Sequence, residues 1–113
     1  MSKKPETTFK EQVIEDLRQL PLAWICKTNE VATRGIPDIL MCVNSAFIAL
    51  ELKATSIDEP SALQKWNLEK VAAAGGLAFV VDPSNWDNTL ALLHELACQS
   101  DKSTKKFSEH QLN

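Results

Sequence analysis

The chain has 113 residues, a formal net charge of −3 and 44% hydrophobic content, which is the length of one domain with apolar material for a single modest core. The acidic balance argues against indiscriminate electrostatic coating of nucleic acid, but it leaves room for a nucleic-acid enzyme whose site is acidic and neutralised by metal. Cys26, Cys42 and Cys98 are odd in number and far apart, so they fit neither a disulfide framework nor a zinc cluster. Cys26 and Cys42 lie in apolar runs and read as small buried hydrophobes in a reducing compartment. No apolar run follows the opening MSKKPETT and none reaches membrane-spanning length, so a cytoplasmic protein away from the membrane is the expectation.

In chain order, TTFKEQVIEDLRQL reads as an amphipathic helix with Phe9, Val13, Leu17 and Leu20 on one stripe, widened by Ile14. Thr8 with Glu11 matches a capping box and places the helix start near Thr8, and Pro21 ends it. Leu22 to Thr28 reads as a strand, and NEVATRG as a loop. Ile36 to Val43 and Phe47 to Ala54 form two strands joined at NSA, an antiparallel hairpin. After the polar TSIDEP, Ser61 opens a helix that runs to about Ala74, with Gln64 as its capping-box partner and Gly75-Gly76 as its stop. Leu77 to Asp82 is continuously apolar, like a strand buried on both faces. SNWDNTLALLHELACQ follows Pro83 as a third helix. The expected fold is α/β, with αβββαβα order and a mixed central sheet flanked by helices. Residues 1–99 form the domain, and residues 100–113 form a polar, loosely ordered tail whose lysines are solvated or touch phosphate.

The hairpin carries charge where its apolar character is strongest. Side chains alternate along a strand, so Glu51 and Lys53 share a face with Phe47 and Ala49, while Ile48, Leu50 and Leu52 meet the core. With the turn near Asn44 and Ser45, Asp38 falls roughly opposite Glu51. Two carboxylates placed so repel unless a cation lies between them. That cation is either Lys53, as a structural salt bridge, or a divalent ion. Mg²⁺ suits a pair of carboxylates with waters and phosphate oxygens completing its shell.

On these residues the chain resembles the PD-(D/E)XK nuclease superfamily, and within it the small VRR-NUC and Holliday-junction-resolvase-like nucleases. Pro37-Asp38 and Glu51-Leu52-Lys53 match the signature. Gly35 before the Pro-Asp, the Ser61-x-x-Gln64 helix start, Gly75 and Val80-Val81 fall at the matching places. The resemblance spans Phe9 to Leu96 and implies a restriction-endonuclease-like core. It also implies that Asp38, Glu51 and the backbone carbonyl of Leu52 bind Mg²⁺ or Mn²⁺, while Lys53 orients or activates the attacking water. The family often adds a Glu from the first helix. Glu11 matches that place, although it is also the capping partner of Thr8, with Glu15 and Glu6 as the neighbouring candidates. Gln64 either caps its helix or reaches the site.

Thr33 and Arg34, in the loop before Pro37, and Lys65, beside Gln64, are candidate DNA phosphate contacts, against a plain solvated reading of each. Trp24, Trp66 and Trp86 read as core or dimer contacts rather than base-stacking groups, and His94 and His110 as bystanders. The activity implied is a metal-dependent endodeoxyribonuclease on structured or branched DNA such as Holliday junctions, working as a homodimer. A non-catalytic DNA-binding or assembly module on the same fold is the alternative.

Overall fold

The computed structural model describes residues 5–28 and 34–99. The elements are α1 (Pro5–Leu17), β1 (Ala23–Lys27), β2 (Ile39–Val43), β3 (Ala46–Leu52), α2 (Ala62–Ala73), β4 (Leu77–Val81) and α3 (Trp86–Cys98). Their order is the expected αβββαβα. The four strands form one sheet in the order β1-β2-β3-β4. β1 and β2 run antiparallel, as do β2 and β3. β3 and β4 run parallel. That parallel step needs a crossover, and α2 supplies it.

Several element boundaries differ from the sequence reading. α1 begins at Pro5, so Thr8 and Glu11 lie inside the helix and not at its start. Proline suits a first helical turn, where its missing N–H has no partner to lose. β2 begins at Ile39, leaving Pro37 and Asp38 outside the ladder, and β3 ends at Leu52, one residue before Lys53. β4 is not buried on both faces: Leu77 to Val80 are half-buried and Val81 alone is fully buried. It lies at one edge of the sheet, with β3 as its strand neighbour among the described residues.

The apolar stripe of α1 is buried as its spacing requires, with Phe9, Val13 and Leu17 in the core, joined by Leu20 three residues past the helix end. They pack with Ile39, Met41, Val43, Ile48, Leu50 and Leu52 from one face of the hairpin and with Trp86, Leu93 and Ala97 from α3. Phe9 and Trp86 meet edge to face at 6.4 Å between ring centroids, a favoured aromatic geometry. α2 lies against β3 and β4 on the opposite face. Among the described residues, no helix covers the matching face of β1 and β2. Trp24, Cys42 and Phe47 align across the three strands there. Trp24 is 62% exposed, and Trp66 on α2 is 54% exposed. Only Trp86 of the three tryptophans belongs to the core. Cys42 is exposed and Cys26 half-buried, so neither is the buried hydrophobe expected from its apolar run. An apolar strand does not by itself decide which of its faces a helix will cover.

The hairpin turn sets the register that matters for the site. Asn44 and Ser45 both have positive φ, 45° and 78°, the backbone of a two-residue turn compatible with strand twist. The Asn44 amide donates to the carbonyls of Leu96 and Gln99, at 2.9 Å each. This fastens the turn to the end of α3.

Candidate functional site

β2 pairs with β3 through Ile39 opposite Leu50. One further step along that register places Asp38 opposite Glu51. Both lie at the end of the sheet where β2 begins and β3 and β4 finish. Each is 1% exposed, although carboxylates are almost never buried without compensation. The register brings both carboxylates to this one end of the sheet.

Three devices hold Asp38. The Leu52 N–H donates to Asp38 Oδ2 at 2.7 Å. The Asp38 carbonyl accepts from the Thr28 N–H at 2.9 Å and from the Thr28 hydroxyl at 3.1 Å. The same hydroxyl donates to the Pro37 carbonyl at 2.7 Å. The approach to Pro37 is fixed as well. Gly35 has φ +76°, and a Cβ there would lie 2.7 Å from Leu63 Cδ2 of α2. The Gly35 carbonyl accepts from the Asn67 amide of α2 at 2.8 Å. Glycine is required at this position by both conformation and contact.

Because Leu52 N–H points at Asp38, its carbonyl turns toward the same edge of β3. On an extended strand the two groups of one residue share an edge, as they do in a hydrogen-bonded antiparallel pair. The Lys53 N–H donates the other way, to Val81 O at 2.8 Å.

Lys53 is 18% exposed at its side chain and stands 3.4 Å from Glu51 Oε2. It also donates to Gln64 Oε1 at 3.3 Å. That oxygen accepts from the Ser61 N–H at 2.8 Å while the Ser61 hydroxyl accepts from the Gln64 N–H, a complete capping box. The two readings of Gln64 are therefore not exclusive: one oxygen caps α2 and touches Lys53.

Lys10 was not foreseen as a site residue. From α1 its Nζ stands 3.6 Å from Asp38 Oδ1. It lies one turn before Ile14 at the border of the apolar stripe, which is a signal of position and not of role. Thr28 was missed too, being the first residue past a strand with no motif around it. Glu11 and Glu15 line an adjoining cleft of about 340 Å³ together with Lys10, Ile14, Arg18 and Lys27. The described residues contain no group of three or more His, Cys, Asp or Glu able to hold a metal. The structure thus does not gather Glu11 or Glu15 with Asp38 and Glu51. Arg34 is exposed at the start of the loop before Pro37. Lys65 is exposed and lines a separate hollow on α2 with Pro60 and Glu69. Thr33 falls outside the described residues, and the side chain of Glu6 is likewise not described.

The residues present fit a hard divalent cation. Asp38 Oδ1 is buried and, among the described residues, accepts no hydrogen bond; the Lys10 ammonium at 3.6 Å is its one ionic neighbour, so this oxygen keeps a lone pair that no donor occupies. All donors at the site are oxygens, as Mg²⁺ and Mn²⁺ prefer.

No family model matches the sequence, and no curated protein matches it. Among solved structures, a VRR_NUC domain protein superposes with a TM-score of 0.69 at 18% identity, covering 89% of this chain and 94% of that one. The fold is VRR-NUC-like.

Proposed function

We propose that this protein is a metal-dependent nuclease of the PD-(D/E)XK type, an endodeoxyribonuclease that hydrolyses phosphodiester bonds in structured or branched DNA such as Holliday junctions. The observation that carries the reading is the pair of fully buried carboxylates, Asp38 and Glu51, held side by side next to Lys53. A purely structural cluster gains little from such a pair, because burying two like charges costs more than a pair of apolar residues would. The likeness in fold to a VRR_NUC domain protein is in keeping with it.

Asp38, Glu51 and the Leu52 carbonyl would hold Mg²⁺ or Mn²⁺, which when bound lowers the pKa of a coordinated water and screens the phosphate oxygens. The chain's own groups do the remainder. Asp38 is kept in place from its backbone side by Thr28 and from its side chain by Leu52. Lys53 brings a positive charge to the side of Glu51, where it orients the attacking water and stabilises the charge that develops on the phosphate. Gln64 restricts Lys53 to that position. Arg34 and Lys65 are the candidate contacts to flanking phosphates.

The protein would act as a homodimer, presenting two sites to two scissile strands, with the exposed apolar face of Trp24 and Phe47 available for pairing. The three cysteines are free, in keeping with a cytoplasmic, reducing setting. Among the described residues no helix is long and apolar enough to cross a membrane.

The test is cleavage by purified protein, with Mg²⁺, of a labelled four-way junction, a flap and a linear duplex. Junction cleavage that requires Mg²⁺ and is lost in Asp38→Ala and Lys53→Ala is the expected result. Cleavage of no DNA, or equal cleavage by the variants, refutes the nuclease reading and leaves a binding module. A preference for linear duplex refutes the branched substrate alone.

A further inference from the structure

The two buried carboxylates each have a lysine, but the lysines are held differently. Lys53 contacts Glu51 Oε2 at 3.4 Å and Gln64 Oε1 at 3.3 Å, so it is fixed at two points. Lys10 reaches Asp38 Oδ1 at 3.6 Å, beyond hydrogen-bonding distance, on a side chain that is 24% exposed. Among the described residues, the oxygen it faces accepts no hydrogen bond. Lys10 comes from α1 and lines the cleft that also carries Glu11 and Glu15. With both lysines in place, the two carboxylates and two ammoniums sum to zero charge. A divalent cation added to that set would meet no net attraction, and like charges so close disfavour each other.

We infer that Lys10 is an exchangeable internal counter-cation: it neutralises Asp38 while the site is metal-free and is displaced when a divalent metal binds. The inference rests on the metal-binding reading of Asp38 and Glu51 and assigns to Lys10 a role in setting metal affinity. Physical reasons favour Lys10 over Lys53 as the group that leaves. Lys10 makes one long, geometrically loose contact, and an ammonium on a four-carbon stem moves by side-chain rotation alone. The cleft that Lys10 lines also carries Glu11 and Glu15. Its presence spares the metal-free protein the cost of an uncompensated buried carboxylate. Its departure costs the metal-bound state that same interaction, so metal binds more weakly than the carboxylates alone would allow.

The experiment compares wild type, Lys10→Met and Lys10→Arg by Mn²⁺ calorimetry and by thermal unfolding in EDTA and in saturating Mn²⁺. Methionine keeps the length and helical preference of the side chain and removes the charge. Lys10→Met is expected to bind Mn²⁺ about fivefold more tightly, the size of a partly exposed ion pair, and to melt a few degrees lower than wild type in EDTA, with the deficit closing in Mn²⁺. Lys10→Arg, which retains the cation, is expected to bind within about twofold of wild type. Equal Mn²⁺ affinity of Lys10→Met and a wild type that binds, or a melting deficit unchanged by Mn²⁺, overturns the exchange and leaves the nuclease reading standing. A wild type that binds no Mn²⁺ overturns both.

Discussion

Replacing Asp38 with Asn separates the electrostatic cost of this site from its hydrogen bonding. Asp38 and Glu51 face each other across the hairpin and are each 1% exposed. Directly opposed residues have Cβ atoms about 5 Å apart, and at an effective dielectric near 20 two unit charges at that distance repel by about 3 kcal/mol. Two attractions oppose this. The Lys10 pair, at 3.6 Å with a partly exposed lysine, contributes about 1 kcal/mol after screening and side-chain ordering. The hydrogen bond from Leu52 N–H at 2.7 Å is stronger to a carboxylate than to an amide oxygen, by about 1 kcal/mol. Asparagine gives up both of these increments but keeps an acceptor for Leu52 and removes the repulsion. The balance leaves Asp38→Asn about 1 kcal/mol more stable than wild type without metal, or roughly 3–5 °C in melting temperature for a domain of this size. Asp38→Ala removes the acceptor as well and strands a buried N–H, which costs about 1–3 kcal/mol, so it melts below Asp38→Asn. Thermal unfolding in EDTA measures the order. Saturating Mn²⁺, at about 100 times its Kd, stabilises wild type by about 3 kcal/mol through mass action and leaves Asp38→Asn unmoved. An Asp38→Asn protein that melts below wild type in EDTA, or that gains as much as wild type from Mn²⁺, refutes the reasoning.

Three further outcomes follow from the geometry. Gly35→Ala combines left-handed strain with overlap against Leu63 and is expected to cost about 2–3 kcal/mol. Gly75→Ala, at φ +100° with open space around its Cβ, carries the strain alone, about 1 kcal/mol; equal losses in urea titration would show that the Leu63 contact is immaterial. Gln64→Ala removes one oxygen from both the Ser61 N–H and Lys53. Its stability should fall by about 1 kcal/mol and cleavage by roughly 10- to 100-fold, and cleavage at the wild-type rate would limit Gln64 to capping. Thr28→Val deletes the hydroxyl that holds the carbonyls of Pro37 and Asp38 while keeping the backbone bond. A loss of about 1 kcal/mol, accompanied by weaker Mn²⁺ binding in calorimetry, is the expected result; unchanged Mn²⁺ affinity would show that the backbone bond suffices to aim Asp38.

Much of the site was legible because its logic is local. A two-residue turn at Asn44-Ser45 fixes the pairing of β2 with β3, and strand alternation then puts Asp38 opposite Glu51 and Lys53 on the face of Glu51. The Ser61–Gln64 capping box is likewise written in four consecutive residues. These features depend on backbone geometry within one hairpin or one helical turn, which residue order alone determines. Lys10, Thr28 and the uncovered face of Trp24 and Cys42 belong to a different class. Whether a lysine on α1 meets a carboxylate just before β2 depends on how the helix crosses the sheet. Which apolar face stays open depends on α2 landing over β3 and β4 and not over β1 and β2. Periodicity reveals that a face is apolar but not what covers it, and a charge in the sequence does not name its partner across the fold. Residue order by itself therefore determined the elements, the hairpin register and the carboxylate pair. Only the packing of the helices on the sheet decided which cations and which backbone donors stand around that pair.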